Sequence, residues 1–338
     1  MRRKSRNSLL ALSVCLPGAA LADCTAAPEP LVSLSFESRY ADDDPSRSIL
    51  DEDAEEEAKE ALKTLDTFIN DLSTRTDAAL ESNDSEAAVC VMQALATWAE
   101  ADALSNLKTE TVQLTIASRI AALALVAAQV SPSAQPAHTA TVTAWLTRRT
   151  EEQMTFWETA PEGAASGNLR AWAALAVAST ALLNNDHVMR GWAAWSLSYV
   201  ACTANEDGSL PQEMSRKHLA LHYQLHAVTP LTVTATLLEQ QGVSVMNRCE
   251  RALDRIVAFT VRDLTAGGAE SEAITGEEQS LNQGAGDLKD FQLAWAESWL
   301  TLRANPELEA IVAPRRPLRY SKLGGDQTRL WRGVVTEK

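Results

Sequence analysis

Long helix-periodic segments, seldom interrupted by glycine or proline, constrain the fold of this chain most strongly. The 338 residues include only 14 Gly and 12 Pro, while Ala, Leu, Trp and charged residues recur at helical spacing. The predicted helices cover residues 51–72, 84–104, 112–130, 139–157, 169–183, 188–204, 230–241, 246–264 and 290–303. About ten helices joined by mostly short turns favour antiparallel hairpins. We therefore predict an all-α chain whose roughly five hairpins curl into an incomplete (α/α) toroid with a central cleft.

The first 22 residues have the pattern of a secretory signal peptide. A basic start with Arg2, Arg3, Lys4 and Arg6 precedes an apolar stretch that is too short to span a membrane, and Ala20-Leu21-Ala22 ends it. Lipidation at Cys24 is the alternative, but Asp23 stands where a lipoprotein signal needs a small residue. We expect cleavage after Ala22, export to the periplasm and one domain over residues 23–338.

The chain is acidic, with a formal net charge of −15. The leader holds basic residues and no acidic ones, so the mature chain would be more acidic still. This charge argues against nucleic acid and an anionic membrane surface as partners. A cleft for a polyanion would have to be lined by particular arginines and lysines. We expect the protein to be a monomer.

Four cysteines remain after the predicted cleavage, namely Cys24, Cys90, Cys202 and Cys249. An even number in an oxidising compartment suggests disulfides, and four cysteines allow three pairings. We favour Cys24–Cys90, which would tie the N-terminal arm to a helix, and Cys202–Cys249 is less firmly indicated. Buried free thiols are the alternative.

Residues 205–230 contain the most side chains that could carry chemistry. Arg216 and Tyr223 are seven residues apart, which on one helix places them on the same face about 10 Å apart along the axis. An arginine there can neutralise a carboxylate and favour the phenolate of a neighbouring tyrosine. A surface arginine and a half-buried tyrosine without a catalytic role would give the same spacing.

His218, His222 and His226 follow at intervals of four, a helical row that could bind a metal. Leu219 occupies the position where a zinc-protease motif needs its glutamate. We therefore predict neither a metal nor a cofactor, and expect one histidine to line a polar cleft.

A second window lies where a loop enters a helix, at Asn168, Arg170 and Trp172. Side chains in a first helical turn can point into a cleft, near free backbone N–H groups. An N-cap asparagine and a solvated arginine are the alternative. Of the nine tryptophans, exposed ones could stack on sugar faces, while most should pack between helices.

These windows together resemble the periplasmic alginate lyase family. Its segment Asn-Asn-His-Ser-Tyr-Trp-Ala-Ala-Trp-Ser is matched by residues 167–176, and the register continues without gaps through residues 220–223. Further matches are residues 36–40, 90 with 98–104, 275–277, and 323–326 with 328–329. The resemblance covers nearly the whole mature chain. It implies an (α/α) toroid that cleaves uronic-acid polymers by β-elimination.

In that family an Asn, a His and an Arg surround the substrate carboxylate, and a Tyr transfers the proton. The resemblance places Asn168, Arg216 and Tyr223 at three of these positions, whereas Leu169 stands at the histidine position. Neutralising the carboxylate stabilises the charge that develops when H5 is removed. In mannuronate and glucuronate H5 and O4 leave from one face, so one tyrosine can serve both. Guluronate needs a second proton-transfer group, and histidine suits that role. The loss of the histidine should therefore reduce guluronate cleavage most.

The remaining expectations concern substrate binding. We expect Arg170 to supply positive charge near the carboxylate, and Trp172 and His222 to contact substrate. Residues 37–50 match a family lid, in which Arg39, Tyr40 and Arg47 would close on the polymer. A disordered acidic loop is the alternative.

Three functions follow from this interpretation. The first is a lyase acting on mannuronate- or glucuronate-rich, alginate-like polysaccharide. The second is a catalytically impaired periplasmic uronan-binding protein, suggested by Leu169. The third is a helical assembly factor of an exopolysaccharide secretion machine.

Overall fold

A computed structural model describes residues 24–332, and the predicted signal peptide lies outside the described residues. The described helices are α1 (Glu52–Ser82), α2 (Ser85–Glu100), α3 (Glu110–Thr115), α4 (Ala117–Val130), α5 (Pro136–Phe156), α6 (Glu162–Ala165), α7 (Asn168–Asn184), α8 (His187–Ala201), α9 (Pro211–Met214), α10 (Ala220–Gln240), α11 (Ala252–Thr265), α12 (Ala269–Thr275), α13 (Trp295–Leu302), α14 (Pro306–Val312) and α15 (Gln327–Arg332). Two-residue strands form two small sheets: β1 (Ser33–Leu34) pairs in parallel with β2 (Asn106–Leu107), and β3 (Arg319–Tyr320) antiparallel with β4 (Gly325–Asp326). The predicted all-α class is confirmed.

Two helical hairpins use the same turn chemistry. Asn83 after α1 and Asn185 after α7 adopt the left-handed conformation, with φ of 53° and 54°. The aspartates that follow, Asp84 and Asp186, each accept backbone N–H groups from the next helix. Asparagine tolerates a positive φ and aspartate is a favoured N-cap, so each Asn-Asp pair ends one helix and begins the next.

The buried helix α7 organises the packing. It contacts α4, α8 and α10, and most of its side chains as far as Ala181 are buried. One large apolar cluster includes side chains from Leu34 in the N-terminal arm to Trp331 in α15. Because α7 is packed against neighbouring helices on several sides, a side chain in its first turn points either toward α4 and α10 or toward α8.

Several predicted boundaries were wrong. Helix α1 continues to Ser82 rather than ending at residue 72, and the predicted helix 112–130 is interrupted at Ile116. Residues 265–289, which lie between two predicted helices and were not predicted to be helical, contain α12. Pro230, expected to begin a helix, lies inside α10. A proline removes one helical hydrogen bond, but Pro230 is buried where α10 packs against α7 and α13, and this tertiary packing outweighs the loss.

Two disulfides hold outlying segments to the helices. Cys24 pairs with Cys90 on α2, and Cys202 pairs with Cys249 in the segment before α11. The N-terminal arm is further held by Trp98, whose Nε1 donates to the Pro28 carbonyl at 3.1 Å. Within residues 24–332, no helix is long and apolar enough to cross a membrane.

Candidate active site

A cleft of about 520 Å³ lies among α1, α3, α4, α7 and α10. Eight of the nine catalytic and substrate-binding residues predicted from the sequence line it, namely Arg39, Tyr40, Arg47, Asn168, Trp172, Arg216, His222 and Tyr223. Leu169 also lines the cleft, whereas Arg170 does not. The structure therefore brings together side chains from the N-terminal arm, the start of α7 and the start of α10.

Arg216 and Tyr223 are in direct contact, although not by the predicted geometry. Arg216 precedes α10 in an irregular segment, where Lys217 has a φ of 53°, and only Tyr223 lies on the helix. This break folds the arginine back over the ring, with its Cζ 4.4 Å from the ring centroid. The prediction of one shared helix face was wrong, and the two groups are closer than two helical turns would allow.

The Arg216 guanidinium is buried and incompletely hydrogen-bonded. Its Nη1 donates to the Arg47 carbonyl at 3.2 Å, while its buried Nε has no partner among the described residues. Burial lowers the pKa of Arg216, and the Glu213 charge opposes that effect. Arginine nevertheless stays protonated in proteins, so Arg216 is a cation with a donor left over for an incoming carboxylate.

Asn168 is held in place by a buried carboxyl group. Glu213 Oε1 accepts from the Asn168 backbone N–H at 2.7 Å, and Oε2 accepts from Nδ2 at 2.9 Å. Burial raises the pKa of Glu213 to about 7, and its hydrogen bonds to Asn168 oppose this rise. The Asn168 Oδ1 is buried without a partner in the described range. Glu213 therefore orients an amide that has one end available for a ligand.

Trp172 and His226 form a polar pair in the cleft wall. The Trp172 Nε1–H donates to His226 Nε2 at 3.1 Å, which requires that nitrogen to be unprotonated. Burial lowers the pKa of His226 well below its ordinary value and lowers that of His222 as well. Both imidazoles are therefore neutral near pH 7. His226 was not predicted as a site residue.

The predicted histidine row is not continuous. His218 lies in a short 3₁₀ turn before α10, whereas His222 and His226 lie on α10 and line the cleft. His218 does not line the cleft with them. Within residues 24–332, no group of three or more His, Cys, Asp or Glu side chains could hold a metal ion.

Asp44 holds part of the arm that matches the family lid in a compact loop. Its carboxylate accepts the backbone N–H groups of Ser46, Ser48 and Ile49 at 3.0, 2.6 and 2.8 Å. These bonds lower the pKa of Asp44, and the hydrogen bond from Ser46 Oγ has the largest effect. The resulting loop carries Arg39, Tyr40 and Arg47 to the cleft.

Arg170 is the predicted site residue that the structure places elsewhere. Its guanidinium lies against the rings of Trp195 and Tyr199 on α8, with Cζ 4.4 and 4.6 Å from their centroids. Successive helical residues are rotated by 100°, so Arg170 points away from the face that carries Asn168 and Trp172. The expectation that Arg170 supplies charge to the cleft was therefore wrong.

Asp66, Arg119, Tyr320 and Lys322 are among the further cleft residues that were not predicted. Arg119 donates to both carboxylate oxygens of Asp66 at 2.8 and 2.7 Å, which neutralises that arginine. Burial lowers the pKa of Lys322 to about 8 and raises that of Tyr320. The basic character of residues 312–338 was the available signal, but no local pattern showed that this segment reaches the cleft.

A family model described as alginate lyase matches residues 26–270. The chain belongs to the alginate lyase family. This stretch includes Asn168, Arg216 and Tyr223, and it ends before Tyr320 and Lys322. The resemblance noted in the sequence is thereby confirmed.

Related proteins agree over most of their length. The alginate lyase of Pseudomonas syringae pv. syringae (strain B728a) is 27% identical over 318 residues, covering 91% of this chain and 82% of that protein. The alginate lyase of Cobetia marina is 26% identical over 318 residues, covering 91% and 83%.

Solved structures have the same fold. Alginate lyase A1-III complexed with tetrasaccharide superposes with a TM-score of 0.77 at 22% identity, covering 94% of this chain and 88% of that one. The crystal structure of alginate lyase A1-III from Sphingomonas species A1 gives 0.75 at 22% identity with the same coverage. These neighbours are (α/α) toroids, which confirms the predicted architecture.

Proposed function

We propose that this protein is a polysaccharide lyase that cleaves mannuronate- or glucuronate-rich, alginate-like polysaccharide by β-elimination at the 4-O-glycosidic bond. The observation that carries the proposal is the contact between Arg216 and Tyr223, at 4.4 Å, in a cleft shared with Asn168. The chain has a net charge of −15, so arginines gathered in one cleft mark a place for an anion.

Each step of the reaction can be assigned to a side chain. Arg216, and Asn168 when it presents its amide nitrogen, neutralise the C5 carboxylate of the bound uronate, which stabilises the charge formed when H5 leaves. The Tyr223 phenolate, favoured by the adjacent guanidinium, takes H5 as base. The electron pair forms the C4–C5 double bond as the C4–O4 bond breaks, and the Tyr223 phenol returns the proton to O4.

Glu213 gives the carboxylate site a defined protonation requirement. While Glu213 is ionised, it occupies Asn168 Nδ2 and leaves the amide oxygen unpartnered. A protonated Glu213 would donate to that oxygen, so a rotated amide would present Nδ2 to the substrate carboxylate. Because burial raises the Glu213 pKa to about 7, both states are accessible near neutral pH.

Leu169 sets the expected preference among uronates. It lines the cleft beside Asn168 and cannot exchange a proton. Tyr223 alone can serve the same-face elimination of mannuronate and glucuronate, whereas guluronate needs a second group on the opposite face. The proposed enzyme therefore prefers mannuronate- or glucuronate-rich polymers and cleaves poly-guluronate poorly.

Organisation and location belong to the same proposal. Residues 1–22 direct export to the periplasm, and residues 23–338 act as one monomeric domain. Residues 37–50 form the lid, supported by the position of Arg39, Tyr40 and Arg47 in the cleft wall.

A catalytically impaired uronan-binding protein is the second candidate. Leu169 favours it, because a cleft that binds uronate but lacks one proton-transfer group could retain affinity without turnover. The two candidates differ in whether an unsaturated product forms.

The decisive experiment measures the ultraviolet absorbance of the unsaturated uronate product with purified mature protein. Poly-mannuronate, poly-guluronate, glucuronan and hyaluronan are compared as substrates. Tyr223→Phe removes the proposed acid–base hydroxyl and keeps the ring, and Thr155→Val removes a hydroxyl from an exposed side chain on α5 outside the cleft as a control.

We expect product from the mannuronate or glucuronate polymers, loss of roughly 10²-fold or more in Tyr223→Phe, and no loss in Thr155→Val. Retained cleavage in Tyr223→Phe would refute the assigned base. Binding of these polymers without any product would replace the lyase with the uronan-binding protein.

A further inference from the structure

The outer face of α8 carries a row of apolar and aromatic side chains. Val188, Trp192, Trp195 and Tyr199 recur at helical spacing and form one stripe. Trp195 is 51% exposed and Tyr199 is 40% exposed, which is unusual for such large rings. Their centroids are 5.7 Å apart, and Trp192 lies 6.4 Å from Trp195. None of these residues lines the cleft.

A buried cation lies beneath the stripe. Arg170 is 3% exposed as a residue, its guanidinium contacts Trp195 and Tyr199, and its Nε donates to Ser196 Oγ at 3.3 Å. Its Nη2 is buried and has no hydrogen-bond partner within residues 24–332. An arginine buried without a carboxylate is costly, and an anion near the outer face of the rings would offset that cost.

A second arginine is hydrogen-bonded to α8, at the residues that precede Trp195 and Tyr199 in the sequence. Arg248 is exposed, and its Nη1 donates to the Ala194 carbonyl at 2.9 Å and to Ser198 Oγ at 2.7 Å. The neighbouring Cys249 is joined to Cys202 after α8, which holds this segment against the helix. The disulfide and the hydrogen bonds of Arg248 therefore hold Trp195, Tyr199 and Arg248 together as one surface.

The side chains that form this surface are aromatic or basic. Helix α8 contains no Asp or Glu, and neither Arg170 nor Arg248 forms a salt bridge in the described part of the chain. The whole protein carries 45 Asp and Glu against 30 Lys and Arg, so a patch with two unneutralised arginines selects for an anion.

We propose that Trp195, Tyr199 and Arg248, supported by Arg170, form a second polysaccharide-binding site for uronate chains, separate from the cleft. Exposed aromatic rings stack on the apolar faces of sugars, and the exposed guanidinium of Arg248 can pair with uronate carboxylates. The choice of uronate as ligand rests on the proposed function. Such a site would retain a long polymer between cleavage events and would leave short oligomers unaffected.

The binding test uses affinity electrophoresis through gels containing poly-mannuronate. All proteins carry Arg216→Ala and Tyr223→Phe, which remove the proposed carboxylate-binding arginine and acid–base hydroxyl of the cleft, so that binding is measured with turnover suppressed. Trp195→Ala and Arg248→Gln are each compared with Val188→Ala, which truncates another exposed side chain of the same stripe. Thermal melting verifies that each variant is folded.

We expect Trp195→Ala to weaken binding roughly fivefold, as for loss of one aromatic contact, and Arg248→Gln to weaken it comparably at low salt. Val188→Ala should bind as the parent does. Unchanged binding in both Trp195→Ala and Arg248→Gln would overturn the site. Equal retardation by a neutral glucan would overturn its selectivity for uronate.

Two further measurements separate this site from its alternatives. In the otherwise native chain, Trp195→Ala should raise KM for long poly-mannuronate and leave KM for a tetrasaccharide unchanged. If the native chain forms no product, the proposed function fails while the electrophoresis still decides the site. A dimer in solution that Trp195→Ala dissociates would instead identify a second copy of the chain as the occupant, against the proposal.

Discussion

Arg216 and Arg316 are both largely buried, yet their surroundings differ. Arg316 donates from Nε and Nη2 to Glu297 at 2.7 and 3.1 Å, and from Nη2 to Glu309 at 2.7 Å. Arg216 has one carbonyl partner, and its buried Nε is unpartnered in the described residues. The pKa of Arg316 is raised by its bonds to Glu309 and Glu297, whereas burial lowers that of Arg216.

This difference distinguishes a structural arginine from one prepared for a ligand. The partners of Arg316 are supplied by the chain, so its hydrogen-bonding capacity is used in folding. The carboxylate partner of Arg216 is missing, because the nearby Glu213 is bound to Asn168. Burial without a full set of partners is costly, and the proposed substrate carboxylate would offset that cost.

Removing the two arginines should therefore have opposite consequences. We expect Arg216→Ala to lower kcat/KM on poly-mannuronate by on the order of 10²- to 10³-fold, because it removes transition-state charge stabilisation. Arg316→Ala should instead destabilise the protein by about 3–5 kcal/mol, because it leaves buried Glu297 without its main partner. Steady-state kinetics and urea unfolding measure the two effects. Similar losses of stability in both variants would contradict the distinction between a structural arginine and one prepared for a ligand.

Glu213→Gln tests whether the protonated acid prepares Asn168 for substrate. If it does, oligomannuronate affinity should fall about tenfold per pH unit as pH rises above about 7, and Glu213→Gln should remain tight, since glutamine donates at any pH. Calorimetry in a Tyr223→Phe background measures binding without turnover. Affinity in Glu213→Gln that is weak at every pH would contradict this role.

The same residue makes a stability prediction with a definite sign. Its folded-state pKa is raised from 4.5 to about 7, so the folded protein favours the protonated carboxyl group. This contribution to stability is complete below pH 4.5 and is lost as pH rises to about 7. Glu213→Gln should make the free energy of unfolding less dependent on pH across that window, as followed by urea titrations.

Leu169→His should produce the smallest effect. An imidazole on that side of the cleft could assist guluronate cleavage, and Leu169→Gln is the matched polar control without a titrating group. We expect a rise on poly-guluronate well below the roughly hundredfold that a fully positioned base contributes, since a ring introduced by one substitution lacks the supporting hydrogen bonds that position a native base. An equal rise in both variants would show that polarity alone is responsible.

Much of the site could be predicted because its residues lie in sequence segments that match the alginate lyase family. Asn168, Trp172, Arg216, His222 and Tyr223 all line the cleft. The contact between Arg216 and Tyr223 could not be derived, because it depends on the break before α10 rather than on helical spacing. Lys322 and Tyr320 were missed because they reach the cleft from the far end of the chain.

The sequence by itself determined the helical class, the Asn-Asp turns and the residue types available for uronate chemistry, because periodicity, capping and side-chain chemistry are local properties. Tertiary structure alone decided which face of each helix meets the cleft. Arg170 is two residues from Asn168, yet packing of α7 between α10 and α8 directs it to the opposite side. The helical backbone fixes the rotation of 100° between successive residues. Packing against distant helices decides how the whole helix is turned about its axis, and therefore which residues face the cleft.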